Sequence, residues 1–308
     1  MREADFIEWI RSQSRFDPAA VPVGPGDDCA IVMCGGEKLL ITTDQLLDGV
    51  HFVLREHGAG QAGRKAMARN LSDVAAMAAT PLAAVTTVAF PKDFSRADAE
   101  QLYQGLRSLG KDFNCPIVGG DVGVWSGPLA ITVTVFARPA GIRQILRSGA
   151  KVGDAICVTG AFGGAWKSQR HLTFVPRIKE ARTLASRHEL HAMIDVSDGL
   201  ARDLGHICKA SGVAAEVHAE KVPIHPELQA AGGEGRALLN AALQDGEDYE
   251  LLFALPAGEA DQLVQSQPLG VKVTRIGAVI EGKGLTLVHP DGKREPLQPK
   301  GWEHQTSG

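Results

Sequence analysis

Gly24-Pro25-Gly26-Asp27-Asp28-Cys29-Ala30, followed within one hairpin's length by Ile41-Thr42-Thr43-Asp44, is the most informative stretch of this 308-residue sequence. Two glycines and a proline make a tight turn, and the two adjacent carboxylates after them repel each other unless a positive charge lies nearby. The run Lys38-Leu39-Leu40-Ile41 then ends in two hydroxyls and a carboxylate, the pattern of a buried strand that delivers oxygen ligands at its exit. Together the two halves read as a magnesium site.

The same device recurs along the chain. A helical pattern running from about Gly60 to Ala79 places Ala66, Asn70, Asp73 and Met77 on one face, so a carboxamide and a carboxylate interrupt a small, packable stripe, and the carboxylate needs a partner. Cys115-Pro116-Ile117-Val118 reads as a short strand ending at Gly119-Gly120-Asp121, and His191-Ala192-Met193-Ile194-Asp195 as a strand followed by Val196-Ser197-Asp198-Gly199. Ser197 or Asp198 is expected to cap the helix that follows. Each acidic group alone is ordinary turn chemistry. Asp28, Asp44, Asp73, Asp121 and Asp195 together, each ending or interrupting an apolar element, point to a cluster of cations. Oxygen-only ligands favour Mg²⁺, which shares its sphere with water and substrate phosphates.

Strand and helix signals in the first half alternate as strand, helix, strand, helix, strand, strand, which predicts an α+β domain with a four-stranded sheet carrying two helices. Its end is expected near Arg138, before the linker Pro139-Ala140-Gly141. The second half, 139–308, repeats the plan, with strands at Ala155–Thr159, His191–Asp195, Tyr249–Leu255, Val271–Val279 and Leu285–Val288. The loop Gly160-Ala161-Phe162-Gly163-Gly164 ahead of Trp166-Lys167-Ser168 fails the phosphate-binding pattern G-x-x-x-x-G-K-[ST], though it could lie near a phosphate.

A hydrophobic fraction of 44% and a charged fraction of 22% are those of a globular protein, and a net charge of −4 argues against nucleic acid as the main partner. No apolar run is long enough for a membrane span, and Met1 to Ile10 lacks the character of a signal peptide, so a cytoplasmic protein is expected. Five scattered cysteines without a C-x-x-C pair indicate neither disulfides nor zinc.

In order and spacing, Gly26-Asp27-Asp28-Cys29-Ala30, Thr43-Asp44, Gly49-Val50-His51-Phe52, Asn70-Leu71-Ser72-Asp73, Gly119-Gly120-Asp121, Arg147-Ser148-Gly149-Ala150, Asp195-Val196-Ser197-Asp198-Gly199-Leu200 and Gly246-Glu247-Asp248-Tyr249-Glu250-Leu251 resemble the thiamine-monophosphate kinases, within the superfamily of aminoimidazole-ribonucleotide synthetase. The resemblance implies two α+β domains: 1–138, with a mixed sheet and helices on one face, binding ATP and Mg²⁺ and pairing in a homodimer, and 139–308, closing the cleft. It implies metal ligands at Asp28, Thr42, Thr43, Asp44, Asp73, Asp121, Asp195 and Asp198, ATP contacts at Tyr103, Gly120, Asp121, Arg147 and Ser197, and thiamine-phosphate contacts at His51, Glu247 and Trp302. Asp44, Asp73 and Arg147 are the expected catalytic residues. The implied reaction is direct, in-line transfer of the γ-phosphoryl group of ATP to thiamine monophosphate, with several Mg²⁺ ions. Val152 and the segment Gly160–Arg177, with Trp166 and Lys167, depart from the family's common pattern. The alternatives are another ATP-dependent enzyme of the superfamily, or a catalytically weak relative that binds ATP or thiamine phosphates. Selenophosphate synthetase is disfavoured by the lack of a cysteine before Cys29. The hydrogenase-maturation carbamoyl carrier is disfavoured by the ending His304-Gln305-Thr306-Ser307-Gly308.

Overall fold

The computed structural model describes residues 3–232 and 234–302. After an opening helix α1 (Glu3–Gln13), strands β1 (Ala30–Cys34) and β2 (Glu37–Leu47) form a hairpin closed by Gly35-Gly36. Both glycines take positive φ, 58° and 86°, as a two-residue turn of right-twisted strands requires. Helix α2 (Leu54–Ala76), strand β3 (Thr80–Pro91), helix α3 (Arg96–Asp112) and strands β4 (Ile117–Trp125) and β5 (Ala130–Arg138) complete the first half.

The first sheet has five strands in the order β1-β2-β5-β3-β4, mixed because β3 and β4 run parallel. The strand beyond the four expected is β1, five residues wedged between glycine turns. Helix α2 starts at Leu54, earlier than its periodicity suggests, because Gly58 (φ 76°, ψ 160°) breaks the period near its start. Strand β4 runs through Gly119-Gly120-Asp121 to Trp125, so Asp121 lies within the strand and not at its end. Ser95 caps α3, its hydroxyl accepting from Asp98 N–H at 3.0 Å. Helices α2 and α3 cross at glycines: a Cβ on Gly63 would stand 2.1 Å from the Leu102 carbonyl oxygen, and one on Gly105 2.0 Å from that of Gly60.

The second half contains β6 (Asp154–Thr159), α4 (Arg170–Thr173), α5 (Ile178–Arg187), β7 (Ala192–Asp195), α6 (Leu200–Ser211) and β8 (Ala214–His218). Then come α7 (Pro226–Ala230), α8 (Gly235–Gln244), β9 (Leu251–Pro256), α9 (Ala257–Ser266), β10 (Val273–Ile280), β11 (Gly284–Val288) and β12 (Arg294–Leu297). Its seven-stranded sheet has the order β12-β11-β8-β10-β6-β9-β7. Strand β6 and most of β9 are buried, which explains their uninterrupted apolar sequences. One apolar core is continuous between the halves, joining Met67, Leu71 and Val74 of α2 to Ile178, Ala181 and Leu184 of α5 and to Met193 and Phe253. A second core lies between α6 and the C-terminal sheet, around Leu200, Leu204, Val217 and Ile276.

Candidate active site

Helix α2 is the spine of the site. Lys65, Arg69 and Asp73 follow at intervals of four, so successive turns of a largely buried helix place three charges on one face, with Arg69 and Asp73 lining the cleft and Lys65 fully buried behind it. Asp73 accepts a short hydrogen bond from the Thr42 hydroxyl, Arg69 Nε pairs with Asp44 at 3.3 Å, and Lys65 pairs with Glu247. Asn70 uses both ends of its amide: its Oδ1 accepts from Asp44 N–H at 3.1 Å, while its Nδ2 donates to Ala66 O at 3.0 Å.

The cleft has a volume of about 590 Å³ and is lined by Asp28, Thr42, Thr43, Asp44, His51, Asp73, Arg147, Asp195, Ser197, Asp198, Glu247 and Trp302. The glycine turn brings Asp28 beneath Arg147, whose Nη2 donates to Asp28 Oδ1 at 2.7 Å. Asp27 accepts from Arg147 N–H at 3.2 Å, so the acidic pair clamps both the main chain and the side chain of that arginine. Burial pulls the Arg147 guanidinium down, but Asp28 and Asp27 outweigh it and hold the group charged. The Thr43 hydroxyl is engaged with β5, donating to Val133 O at 3.2 Å and sharing a hydrogen bond with Thr134 at 2.9 Å.

Asp28, Asp73 and Asp195 each offer a carboxylate oxygen, all within 4.8 Å of one another. Burial, then the neighbouring carboxylates, holds Asp73 well above its usual range, and burial followed by Asp28 pushes Asp195 up to about 7. Asp27 is also pushed up to about 7, by burial and then by Asp28. Asp28 Oδ2 is buried with no hydrogen-bond partner among the described residues. Three clustered hard oxygen donors, mutually repelling and one of them unpartnered, suit a divalent cation such as Mg²⁺.

His51, Glu247 and Trp302 line the same cleft. The ring centroids of His51 and Trp302 are 5.6 Å apart, and His51 Nδ1 accepts from Leu47 N–H at 3.0 Å, which puts the proton of the neutral ring on Nε2. Glu247 and Tyr249 both adopt positive φ, 72° and 53°. Their N–H groups donate to Ser197 O at 2.7 Å and Val196 O at 2.8 Å, and Trp302 N–H donates to Asp198 O at 3.0 Å. The 195–198 loop therefore anchors both the Glu247 turn and the C-terminal tryptophan.

Tyr103, Gly120 and Asp121 line a different groove, between α3 and the β3–β4 edge, and do not reach the acidic cleft within one chain. The expected cap at Ser197 or Asp198 is absent: α6 begins after Gly199 without a side-chain cap, and Asp203 from its first turn accepts from both Asp198 N–H and Gly199 N–H at 3.1 Å. Nor is the glycine loop a phosphate cradle. Gly163 N–H donates to Asp248 at 3.0 and 3.1 Å and Gly164 N–H to Asp245 at 3.1 Å, so the chain's own carboxylates take these amides. Sequence reasoning missed Lys65 and Arg69, whose signal was a lysine and an arginine in step with Asp73 on a helix otherwise rich in alanine.

Residues 26–138 match the family described as AIR synthase related protein, N-terminal domain, and residues 151–290 the corresponding C-terminal domain. The thiamine-monophosphate kinase of Rhodopirellula baltica is 39% identical over 311 residues, covering 98% of this chain and 97% of that protein. The chain belongs to the thiamine-monophosphate kinase family. Among solved structures of similar proteins, "AaThiL complexed with AMPPCP and TMP" superposes with a TM-score of 0.83 at 31% identity, covering 99% of this chain and 97% of that one. The thiamine-monophosphate kinase of Stenotrophomonas maltophilia gives a TM-score of 0.74 at 32% identity, covering 94% and 95%. Family membership gives the cleft, which holds both the clustered aspartates and the His51–Trp302 pair, a phosphotransferase context.

Proposed function

We propose that this protein transfers the γ-phosphoryl group of ATP to the phosphate of thiamine monophosphate, giving thiamine diphosphate and ADP. The observation that carries the reading is the convergence of Asp28, Asp73 and Asp195 within 4.8 Å beside Arg147, in the cleft that His51, Glu247 and Trp302 also line. The aspartates and Arg147 suit polyphosphate with cations, and the His51–Trp302 pair a flat heteroaromatic acceptor.

The acceptor is a phosphate monoester with a second pKa of about 6, largely ionised at neutral pH, so no strong general base is required. The obstacle is repulsion between anions, about 4 kcal/mol per pair of unit charges at 4 Å and an effective dielectric near 20. Mg²⁺, when bound, would supply positive charge that offsets this repulsion. Asp28, Asp73 and Asp195 would hold it, with Asp44, Asp198, Thr42, Thr43 and Asp121 as ligands of further ions. Arg147, fixed by Asp28, adds a charge that cannot be titrated away, and Ser197, which lines the same cleft, would contact ATP. His51, Glu247 and Trp302 orient the acceptor so that its oxygen lies in line with the γ-phosphorus.

We treat 1–138 and 139–308 as two domains and the protein as a homodimer through the first. The edge strand β4 exposes Val118, Val122 and Val124, each more than 60% accessible, a surface that a second copy would cover. Pairing there would let Tyr103, Gly120 and Asp121 of one subunit serve a nucleotide in the other's cleft. Mixing inactive Asp73→Asn and Asp121→Asn proteins should then restore activity, because each mixed dimer keeps one intact site; no restoration would argue for action within one chain. Among the described residues no helix is long and apolar enough to cross a membrane, and a cytoplasmic location is part of the same reading.

The deciding experiment incubates the protein with ATP, Mg²⁺ and thiamine monophosphate and separates the products. Thiamine diphosphate and ADP in equal amounts, lost on chelation, are the expected outcome. ADP alone would indicate another acceptor, and binding of both ligands without turnover would indicate a catalytically weak relative.

A further inference from the structure

Lys65 is fully buried, with no accessible surface. Its Nζ donates to His51 O at 2.6 Å and to His171 Nδ1 at 2.7 Å, and it forms an ion pair with Glu247. An ammonium has three donors, and here all three are used.

Each partner is itself fixed. The His171 ring stacks on Trp166, with centroids 4.5 Å apart and planes inclined by 15°. Burial, with Lys65 and His57 beside it, pushes His171 down to about 3, so the ring is neutral and its Nδ1 is free to accept. Glu247 sits on a left-handed backbone (φ 72°) and accepts from the Tyr249 hydroxyl at 3.2 Å. Its side chain remains 19% exposed, towards the cleft.

Burying an ammonium is costly, and an apolar side chain of the same length would fill this space without desolvation loss. The position is explained by what the charge grips: the Glu247 carboxylate and the main chain of His51, the two acceptor-side groups of the cleft. On the nucleotide side, the partners of Asp28 and Asp195 are Arg147 and Ser72.

We infer that Lys65 is a positioning residue for the acceptor, holding Glu247 and His51 at a fixed separation and thereby setting affinity for thiamine monophosphate independently of ATP. The inference rests on the kinase reading above. Trp166 and His171, in the segment that departs from the family's common pattern, form the back wall that keeps the ammonium in place.

The test is steady-state kinetics of the full-length, Mg²⁺-loaded protein carrying Lys65→Met. KM for thiamine monophosphate should rise about 10-fold or more while KM for ATP stays within about 2-fold, the signature of lost ground-state binding on one side only. The double variant Lys65→Met/Glu247→Gln should be less impaired than the sum of the two single variants, since part of what Lys65 does passes through that carboxylate and the rest through the His51 main chain. A purely structural lysine would instead lower thermal stability with both KM values unmoved or moved together, and would add to Glu247→Gln; either result overturns the inference. If Lys65→Met does not fold, His171→Phe keeps the stacked ring and removes one acceptor. It should raise the acceptor KM about 3-fold and leave that for ATP unchanged, and an unchanged acceptor KM overturns the inference. Wild-type protein that neither turns over nor binds thiamine monophosphate would overturn the kinase reading itself, whereas an active wild type with unaffected variants overturns only the role of Lys65.

Discussion

The Ser72 hydroxyl donates to Asp195 Oδ2 at 2.6 Å, joining residues 123 positions apart and tying helix α2 of the first half to the end of β7 in the second. Both side chains are almost fully buried. Ser72→Ala leaves the carboxylate without that donor, and stability should fall by about 1–3 kcal/mol in urea titrations without metal. The hydrogen bond favours the ionised acid, so its loss should raise the pKa of Asp195 further above its present value of about 7. The acid limb of the rate profile should therefore move to higher pH. An unchanged limb would show that Asp195 does not control it.

Asp73 is held in a repulsive setting, among Asp44, Asp195 and Asp28. Asp73→Asn removes a charge that the apo protein accommodates badly, so its apo melting temperature should equal or exceed that of the wild type. Turnover should fall on the order of 10²-fold, as when other preorganised charge-stabilising groups are removed. Thermal shift by Mg²⁺, present in the wild type, should be sharply reduced. Near-normal turnover in both Asp73→Asn and Asp44→Asn would sink the cation-cluster assignment.

The acidic residues were legible because each interrupts an apolar run, where an ionised group has no ordinary reason to be. Lys65 and Arg69 were not, because a cation on a helix reads by default as a solvated face, and only the packing of the second half over α2 turns that face inward. Strand β1 escaped notice for its brevity, and Asp121 was misplaced at a strand end because its glycines resemble a turn although β4 continues through them. The glycine loop shows a third limit: its amides are taken by Asp248 and Asp245, more than 80 residues away in sequence, a pairing no local pattern reports.

Behind that loop, Glu250 accepts from Arg177 Nε at 2.8 Å and Nη2, and from the Thr159 hydroxyl at 2.6 Å. Glu250 does not line the cleft. Glu250→Gln breaks a nearly buried ion pair and should cost about 3 kcal/mol of stability. KM values of the folded fraction should change little at a temperature well below the melting point. A large change in either KM with intact stability would place Glu250 in the site instead.

His171 makes the protein sensitive to acid. Its folded-state pKa is depressed to about 3, first by burial and then by Lys65, whereas an unfolded chain protonates it near 6.5. Between those values the unfolded state binds more protons than the folded one, so stability rises with pH and is lost as pH falls through 6.5. His206, depressed to about 4 by burial and then by Arg147, contributes the same slope, while Asp27, Asp195 and Asp248, each pushed up to about 7 with burial the leading cause, contribute the opposite slope. Comparing variants isolates the His171 contribution, because the other groups are common to both proteins. His171→Gln keeps an acceptor for Lys65 and removes the titration, so its urea midpoint should decline less between pH 7 and pH 5 than that of the wild type. Parallel declines would mean that His171 is protonated in the folded protein, and that Lys65 is then held by His51 and Glu247 alone.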